Sequence, residues 1–205
     1  MAEPVGGLRE RKKERTRVAI RQQALQLFRE QGYDATTVEQ IAAATDISSS
    51  TFFRYFPSKQ SIVVVDEYPN RIVRAFDAQP HDMPLLQAMR TAIRSVLDDL
   101  SDADQRALRE RNRLVTSTPE LRTAAMDNLF LLMSRVCDSA AERRGCDPEG
   151  LELRAFAWMV HGVLAAASLH WIDHDGASLA DSFDTAFEVL EHASTFSPAE
   201  RSLQE

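Results

Sequence analysis

Apolar positions recur three and four residues apart along most of the chain, and no stretch alternates in the manner of a strand. Ile20, Ala24, Leu27 and Phe28 carry this spacing through a first helix from about Glu10 to Gln31, where Gly32 supplies a stop. Thr36, with Glu39 following it, reads as a capping box that opens a short second helix with Val38, Ile41 and Ala42 on its inner face. Asp46 and Ile47 form a turn, and Ser48 caps a third helix whose Phe52 and Phe56 face inward. Pro57 ends that helix, because the residue before a proline is biased out of helix. Ser58 then caps a fourth helix running toward Ala78.

The polar stretch from Gln79 to Pro84 marks a boundary, followed by an amphipathic segment to Leu100. Ser101 and Asp104 cap the next helix, to about Val115. Thr118-Pro119 places a cap before a proline, opening a long helix to Arg144 that stops at Gly145. Asp147-Pro148 repeats the device for a helix to about Asp173, and Ser178 opens the last, ending near Thr195. The expectation is an all-α chain of about nine helices. An N-terminal three-helix helix-turn-helix domain is expected over residues 1–60, and a C-terminal helical domain over residues 61–205.

The net charge of -7 runs against DNA binding until its placement is considered. Residues 1–60 carry ten Lys/Arg and seven Asp/Glu, whereas the remainder carries fourteen and twenty-four. Within Arg9–Arg21 alone, seven residues are basic and two acidic. A basic end on an acidic body fits a DNA-binding head joined to something else; a solvated, charged helix start is the plainer reading of the run alone. Cys137 and Cys146 make neither a disulfide framework nor a metal spacing, and suit a reducing cytoplasm. No apolar core follows the basic N-terminus in the manner of a signal peptide. The apolar run Ala155–Ile172 approaches membrane-spanning length, but His161, His170 and Gly162 favour a buried helix, and no membrane is expected.

The segments ALQLFREQGYDATTVEQIA and STFFRYFPSK, with the arginine-rich approach to the first helix, resemble the DNA-binding domain of the TetR family of bacterial transcriptional regulators. The stretch RERNRLVTSTPELR is similar to the mycofactocin-regulator type of ligand domain, which implies an effector of apolar or acyl-CoA-like chemistry. The resemblance implies an all-helical homodimer that binds double-stranded DNA at a pseudo-palindromic operator, most often as a repressor released by a small molecule. It also implies that residues 61–205 form the effector-binding and dimerisation domain, whose last two long helices pair with their mates.

Phosphate contacts supply affinity and base-edge contacts supply specificity. Thr36, Thr37, Ser48 and Lys59 stand at helix starts, where free N–H groups attract anions. By resemblance, Thr37, Tyr55 and Lys59 sit at positions that grip phosphate. With Phe52 and Phe56 turned inward, Ser49, Ser50, Thr51, Phe53, Arg54 and Tyr55 are left more outward. Arg54 is the sharpest candidate for reading guanine, with a phosphate contact or an internal ion pair as the alternatives. Phe53 replaces the family's usual tyrosine, and offers a surface for a thymine methyl instead of a hydroxyl. Arg15 and Arg17 lie nearest the helix start in a run that could form an arm along the backbone or minor groove.

In the C-terminal part, Met126, Phe130, Met133 and Trp158 are candidates for a ligand pocket, though plain core is the commoner use of such residues at helical spacing. Arg106, Arg109, Arg111 and Arg113 crowd one helix, to hold an anion or to pair with acids such as Glu110 and Asp104. Gly162, Ala166, Phe183, Phe187 and Leu190 are candidates for a dimer face, with packing inside one chain as the alternative. His161, His170, Asp173 and His174 do not form a metal-ligand pattern, and no cofactor motif is present. No glycine-rich phosphate loop or nucleophile elbow supports a helical enzyme. A regulator is therefore expected over an enzyme or a helical interaction module without effector-controlled DNA binding.

Overall fold

The computed structural model describes residues 8–65 and 68–192. All secondary structure among them is helical: α1 (Leu8–Gln31), α2 (Val38–Ala44), α3 (Ser49–Tyr55), α4 (Lys59–Val64), α5 (Tyr68–Asp77), α6 (Leu85–Asp98), α7 (Asp102–Ser117), α8 (Pro119–Arg144), α9 (Leu151–Asp173) and α10 (Leu179–Glu191). The chain divides into two compact units. The first holds residues up to Val65 together with Pro119–Ala125, and the second holds Asp66–Thr118 with the chain from Met126 onward.

In the first unit α1 packs on α2 and α4, and α2 packs on α3. The shared core contains Ile20, Ala24 and Phe28 of α1, Ile41 and Ala42 of α2, and Phe52 and Phe56, all buried. Leu121, at the start of α8, is fully buried in the same unit. The basic run is helical from Leu8 onward rather than an arm. The turn between α2 and α3 places Asp46 in the left-handed region (φ 54°), while the Ile47 amide bonds the Ala42 carbonyl at 3.0 Å.

The cap of α2 lies one residue later than its sequence suggests. Thr37 is the N-cap, accepting from the Gln40 amide at 3.2 Å, and the Gln40 side chain accepts from the Thr37 amide at 2.8 Å. Thr36 is buried. Its hydroxyl donates to the Gly32 carbonyl at 2.7 Å and accepts from Gln31 Nε2 at 3.1 Å.

The fourth helix does not run to Ala78 in one piece. Val65 closes α4 in extended geometry, and α5 begins at Tyr68. Pro69 explains the break: in a continuous helix its ring would clash with the carbonyl four residues back, which is that of Val65. Placed in the first turn of α5, it is tolerated. This division makes ten helices among the described residues where nine were expected. Asp147-Pro148 likewise forms a turn rather than a helix start. Asp147 Oδ1 accepts from the Glu149 amide at 2.9 Å, and α9 begins after Gly150. The expected end of the last helix near Thr195 lies outside the described residues.

In the second unit α9 supplies the central face, burying Leu153, Phe156, Ala157, Val160, Val163, Ala167 and Trp171. It packs on α7 and α10, while α6 packs on α5 and α10. By length and composition α9 is the one described helix apolar enough to cross a membrane, and its buried positions recur at the helical period expected of a core helix. Phe183 and Phe187 of α10 are fully buried, with ring centroids 5.3 Å apart. They belong to this core and are not available to a partner chain, which corrects their assignment to a dimer face. The α7 arginines also pair differently from expectation. Arg109 and Arg113 both hold Asp175, at 3.0 and 3.2 Å, and the Arg109 guanidinium lies 4.5 Å from the Trp171 ring centroid. They tie down the α9–α10 connection.

Phe52 has no exposed surface and anchors the seven-residue α3. Phe52→Ala should lower stability by roughly 3–5 kcal/mol in chemical denaturation, the range for truncating a buried Phe. A loss below about 1 kcal/mol would contradict its role as the floor of α3.

Candidate nucleic-acid interface

The outward face of α3 is built by what its inward face holds. Ser48 caps the helix, its hydroxyl accepting from the Thr51 amide at 3.1 Å. Phe52 stacks its edge on Phe53 (5.4 Å) and tilts against Phe56 (6.0 Å). With those two rings buried, Ser50, Phe53 and Arg54 are exposed, and Ser49, Thr51 and Tyr55 are half-buried. Phe53 leaves 52% of its surface open, an apolar ring beside an exposed guanidinium.

Arg54 makes no hydrogen bond or ion pair among the described residues; its guanidinium carbon lies 5.4 Å from the Tyr55 ring centroid. An internal ion pair, one alternative role for it, is therefore absent from this arrangement. The hydroxyls at the head of α3 form a small relay. Ser48 donates to Thr51 Oγ1 at 3.0 Å and lies 2.9 Å from Ser50 Oγ. Ser48 has one hydroxyl hydrogen and gives it to Thr51, so Ser50 is the donor in the second contact. The Thr51 hydrogen remains available to an outside acceptor.

The other basic candidates divide. Arg15 is exposed on α1. Arg17 is half-buried, its guanidinium 5.3 Å from the Phe56 ring centroid, and Arg21 reaches the same ring at 5.8 Å while donating to the Val65 carbonyl at 2.7 Å. Lys59 turns inward. Its ammonium donates to the carbonyls of Tyr33 (2.8 Å) and Thr36 (3.0 Å) and lies 4.0 Å from the Tyr33 ring centroid. Tyr33 is itself buried, and burial followed by the Glu120 and Asp34 carboxylates pushes its phenol well above the usual tyrosine range. Glu120, in the first turn of α8, also accepts from the Gln60 side chain. Tyr33, Arg21 and Gln60 were not among the candidate site residues of this head. Tyr33 carries the one readable signal, an aromatic directly after the Gly32 stop. Thr36, being buried, brings no hydroxyl to the surface, whereas Thr37 is exposed.

The ligand candidates of the second unit are only partly brought together. Phe130, Met133 and Trp158 line an open cleft of about 270 Å³ with Cys137, Ala157 and Arg154, and Met126 is not part of its lining. Phe130 and Trp158 are exposed and meet edge to face at 5.4 Å. Trp158 also meets His161, whose imidazole is held below its usual value by burial. A larger groove of about 780 Å³ runs between α9 and α10, lined by Gly162, Ala166, His170, Ala186, Val189 and Leu190 among others. Among the described residues no set of three metal-ligating side chains converges.

The comparisons with known proteins agree with this layout. Residues 20–64 match the family model for bacterial regulatory proteins of the tetR family, and residues 83–195, more than half of the chain, match that for the MftR C-terminal domain. The chain is 32% identical over 195 residues to the HTH-type transcriptional regulator TcmR of Streptomyces glaucescens, covering 90% of this chain and 86% of that protein. It is 27% identical over 169 residues to the putative mycofactocin biosynthesis transcriptional regulator MftR of Mycobacterium tuberculosis, covering 82% and 85%. The fold is shared with Thermus thermophilus FadR, a transcriptional repressor solved with lauroyl-CoA, at a TM-score of 0.52 and 19% identity over 92% of this chain and all of that one. These relatives are named as regulators, not as enzymes. The identity to TcmR across nine-tenths of the sequence, on an all-helical fold with a helix-turn-helix head, places this chain in the TetR family of bacterial transcriptional regulators.

Proposed function

We propose that this regulator is a cytoplasmic repressor that binds a pseudo-palindromic operator as a homodimer and is released by a small-molecule effector of apolar or acyl-CoA-like chemistry. The observation that carries the reading is the two-faced α3: Phe52 beneath, and Arg54, Phe53 and Ser50 exposed above it. Arg54 reads a base edge, Phe53 touches a thymine methyl, and Ser49, Ser50, Thr51 and Tyr55 share base and phosphate contacts. Thr37 and Ser48 approach phosphate at the starts of α2 and α3, and Arg15 and Arg17 approach the backbone from α1. A two-fold dimer presents its two α3 helices roughly 34–36 Å apart, or further if the half-sites skip a turn.

The α9–α10 groove supports dimerisation. A glycine within a helix is about 1 kcal/mol less favourable than alanine, yet a Cβ on Gly162 would meet nothing within 4 Å inside the protomer. Internal packing therefore does not require glycine there. Close approach of another backbone does. Ala166, Val189 and Leu190 surround it on the same open groove.

For the effector, the Phe130–Trp158 cleft is slightly smaller than usual ligand sites, so it takes one apolar end of a larger molecule. The likeness to the MftR C-terminal domain, and the lauroyl-CoA held by Thermus thermophilus FadR, support acyl-CoA-like chemistry.

Arg54→Ala should weaken operator binding by about 1–3 kcal/mol while changing affinity for scrambled duplex less, as measured by fluorescence anisotropy. Equal loss on both duplexes excludes base reading. Gly162→Leu should leave the protomer folded and move the protein toward monomer in light scattering, and an unchanged mass rejects this groove as the dimer face. Lauroyl-CoA should shift the emission of exposed Trp158 and lower operator occupancy, with the shift absent in Trp158→Phe. Unaltered emission and occupancy would exclude acyl-CoA at this cleft.

A further inference from the structure

The hydroxyl relay at the head of α3 has a direction. Ser48 Oγ accepts from the Thr51 amide at 3.1 Å, donates to Thr51 Oγ1 at 3.0 Å and takes the hydrogen of Ser50 across 2.9 Å. A hydroxyl has one hydrogen and two lone pairs, so every position on the Ser48 hydroxyl is used. The hydrogen of Ser50 is spent inside the protein, and what Ser50 turns outward is lone pairs alone. Thr51 is its opposite: it receives the Ser48 hydrogen and keeps its own.

Ser50 stands where this difference has a consequence. It is exposed, and it lies three and four residues before Phe53 and Arg54, which puts all three on one face of α3. A phosphate oxygen only accepts hydrogen bonds, and so do O6 and N7 of guanine and O4 of thymine in the major groove. None of them is a partner for an oxygen that offers lone pairs alone. The donors of the groove are amino groups, N6 of adenine and N4 of cytosine.

We propose that Ser50 is a specificity-determining residue that accepts a hydrogen bond from the amino group of an adenine or a cytosine, because the relay through Ser48 to Thr51 holds its hydrogen away from phosphate and carbonyl acceptors. The inference rests on the reading that α3 faces DNA, and deepens it by assigning the chemistry of one contact. Thr51, half-buried and with a hydrogen to give, is left for an acceptor such as a phosphate oxygen.

The test uses the full-length protein and the duplex it selects from a randomised pool, with affinities read by fluorescence anisotropy. Replacing adenine by guanine, or cytosine by thymine, exchanges an amino donor for a carbonyl acceptor at the same place in the groove. At one base pair of each half-site this exchange should cost the wild type about tenfold. Ser50→Ala should erase that difference, and only at that base pair. Ser48→Gly removes the acceptor of the Ser50 hydrogen and keeps a residue nearly as good at a helix cap. It should erase the difference while retaining affinity for the selected duplex, since Ser50 then donates as well as accepts. Thr51→Val reaches the same point from the other side. Ser48 turns its hydrogen to Ser50, which frees that of Ser50, so the difference should vanish even as binding weakens on every duplex.

A difference that persists in either of these two variants, provided the variant folds, overturns the relay. A loss in Ser50→Ala that is equal on all duplexes, scrambled ones included, makes Ser50 a phosphate ligand and overturns the proposal. A wild type with no preference among duplexes overturns the DNA reading itself, whereas a selective wild type unchanged by Ser50→Ala overturns this contact alone.

Discussion

The head depends on the burial of Phe52 and Phe56. A seven-residue helix such as α3 is too short to be stable in water by itself, because nucleation costs more than one or two turns of hydrogen bonds return. Its order is borrowed from two buried rings, 0% and 1% exposed. Each fully buried Phe contributes roughly 2–3 kcal/mol of transfer free energy, enough to offset the ordering of a few residues. Because those two rings fix the rotation of the helix, they also decide which side chains point away. The exposure of Phe53 and Arg54 follows from the burial of Phe52, so the structural and functional faces of α3 are set by one packing choice.

The same logic of two faces recurs in α9. Its buried positions fall on one side of the helix and hold the second unit together, while Gly162, Ala166 and Leu169 on another side remain open. On α10 the division is sharper: Phe183 and Phe187 are consumed by the core, and Val189 and Leu190 border the groove. An apolar stripe read from sequence does not distinguish these uses, since both repeat at the helical period. Burial does. Phe156, Trp171, Phe183 and Phe187 went to the protomer's own core, while Gly162 and Ala166 were left at the surface, where a backbone can come close.

What was readable in the sequence was whatever a local rule determines. Ser48, Ser58, Ser101 and Ser178 cap their helices as expected, because a hydroxyl satisfies the free N–H of the residue three positions on. Gly145, at φ 65°, ends α8 as a glycine in the left-handed region does. The misreadings are local competitions resolved by a neighbour. Thr36 and Thr37 are equally good caps by type; Gln40 completes the box with Thr37, and Thr36 is drawn into the interior by Gly32 and Gln31. The break before α5 was written in Pro69 but obscured by the apolar run of Val63–Val65. The choice of Asp175 by Arg109 and Arg113, and of Tyr33 by Lys59, joins residues far apart in the chain. No periodicity or motif encodes such pairs.

Lys59 shows most clearly how position and orientation differ as sources of functional evidence. At the start of a helix, next to a helix-turn-helix, a lysine reads as an anion ligand, and the charge and location both agree. Its side chain, however, finds a nearer and better-organised set of acceptors in two carbonyls held by a buried tyrosine and a buried threonine. Two of its three ammonium donors are used by those carbonyls, which ties the start of α4 to the segment that precedes α2. For Arg54 no such competition exists among the described residues, since no carboxylate or carbonyl engages it. Two cations five residues apart thus differ in their surroundings: Lys59 is bonded to the segment before α2, and Arg54 is exposed on the outward face of α3.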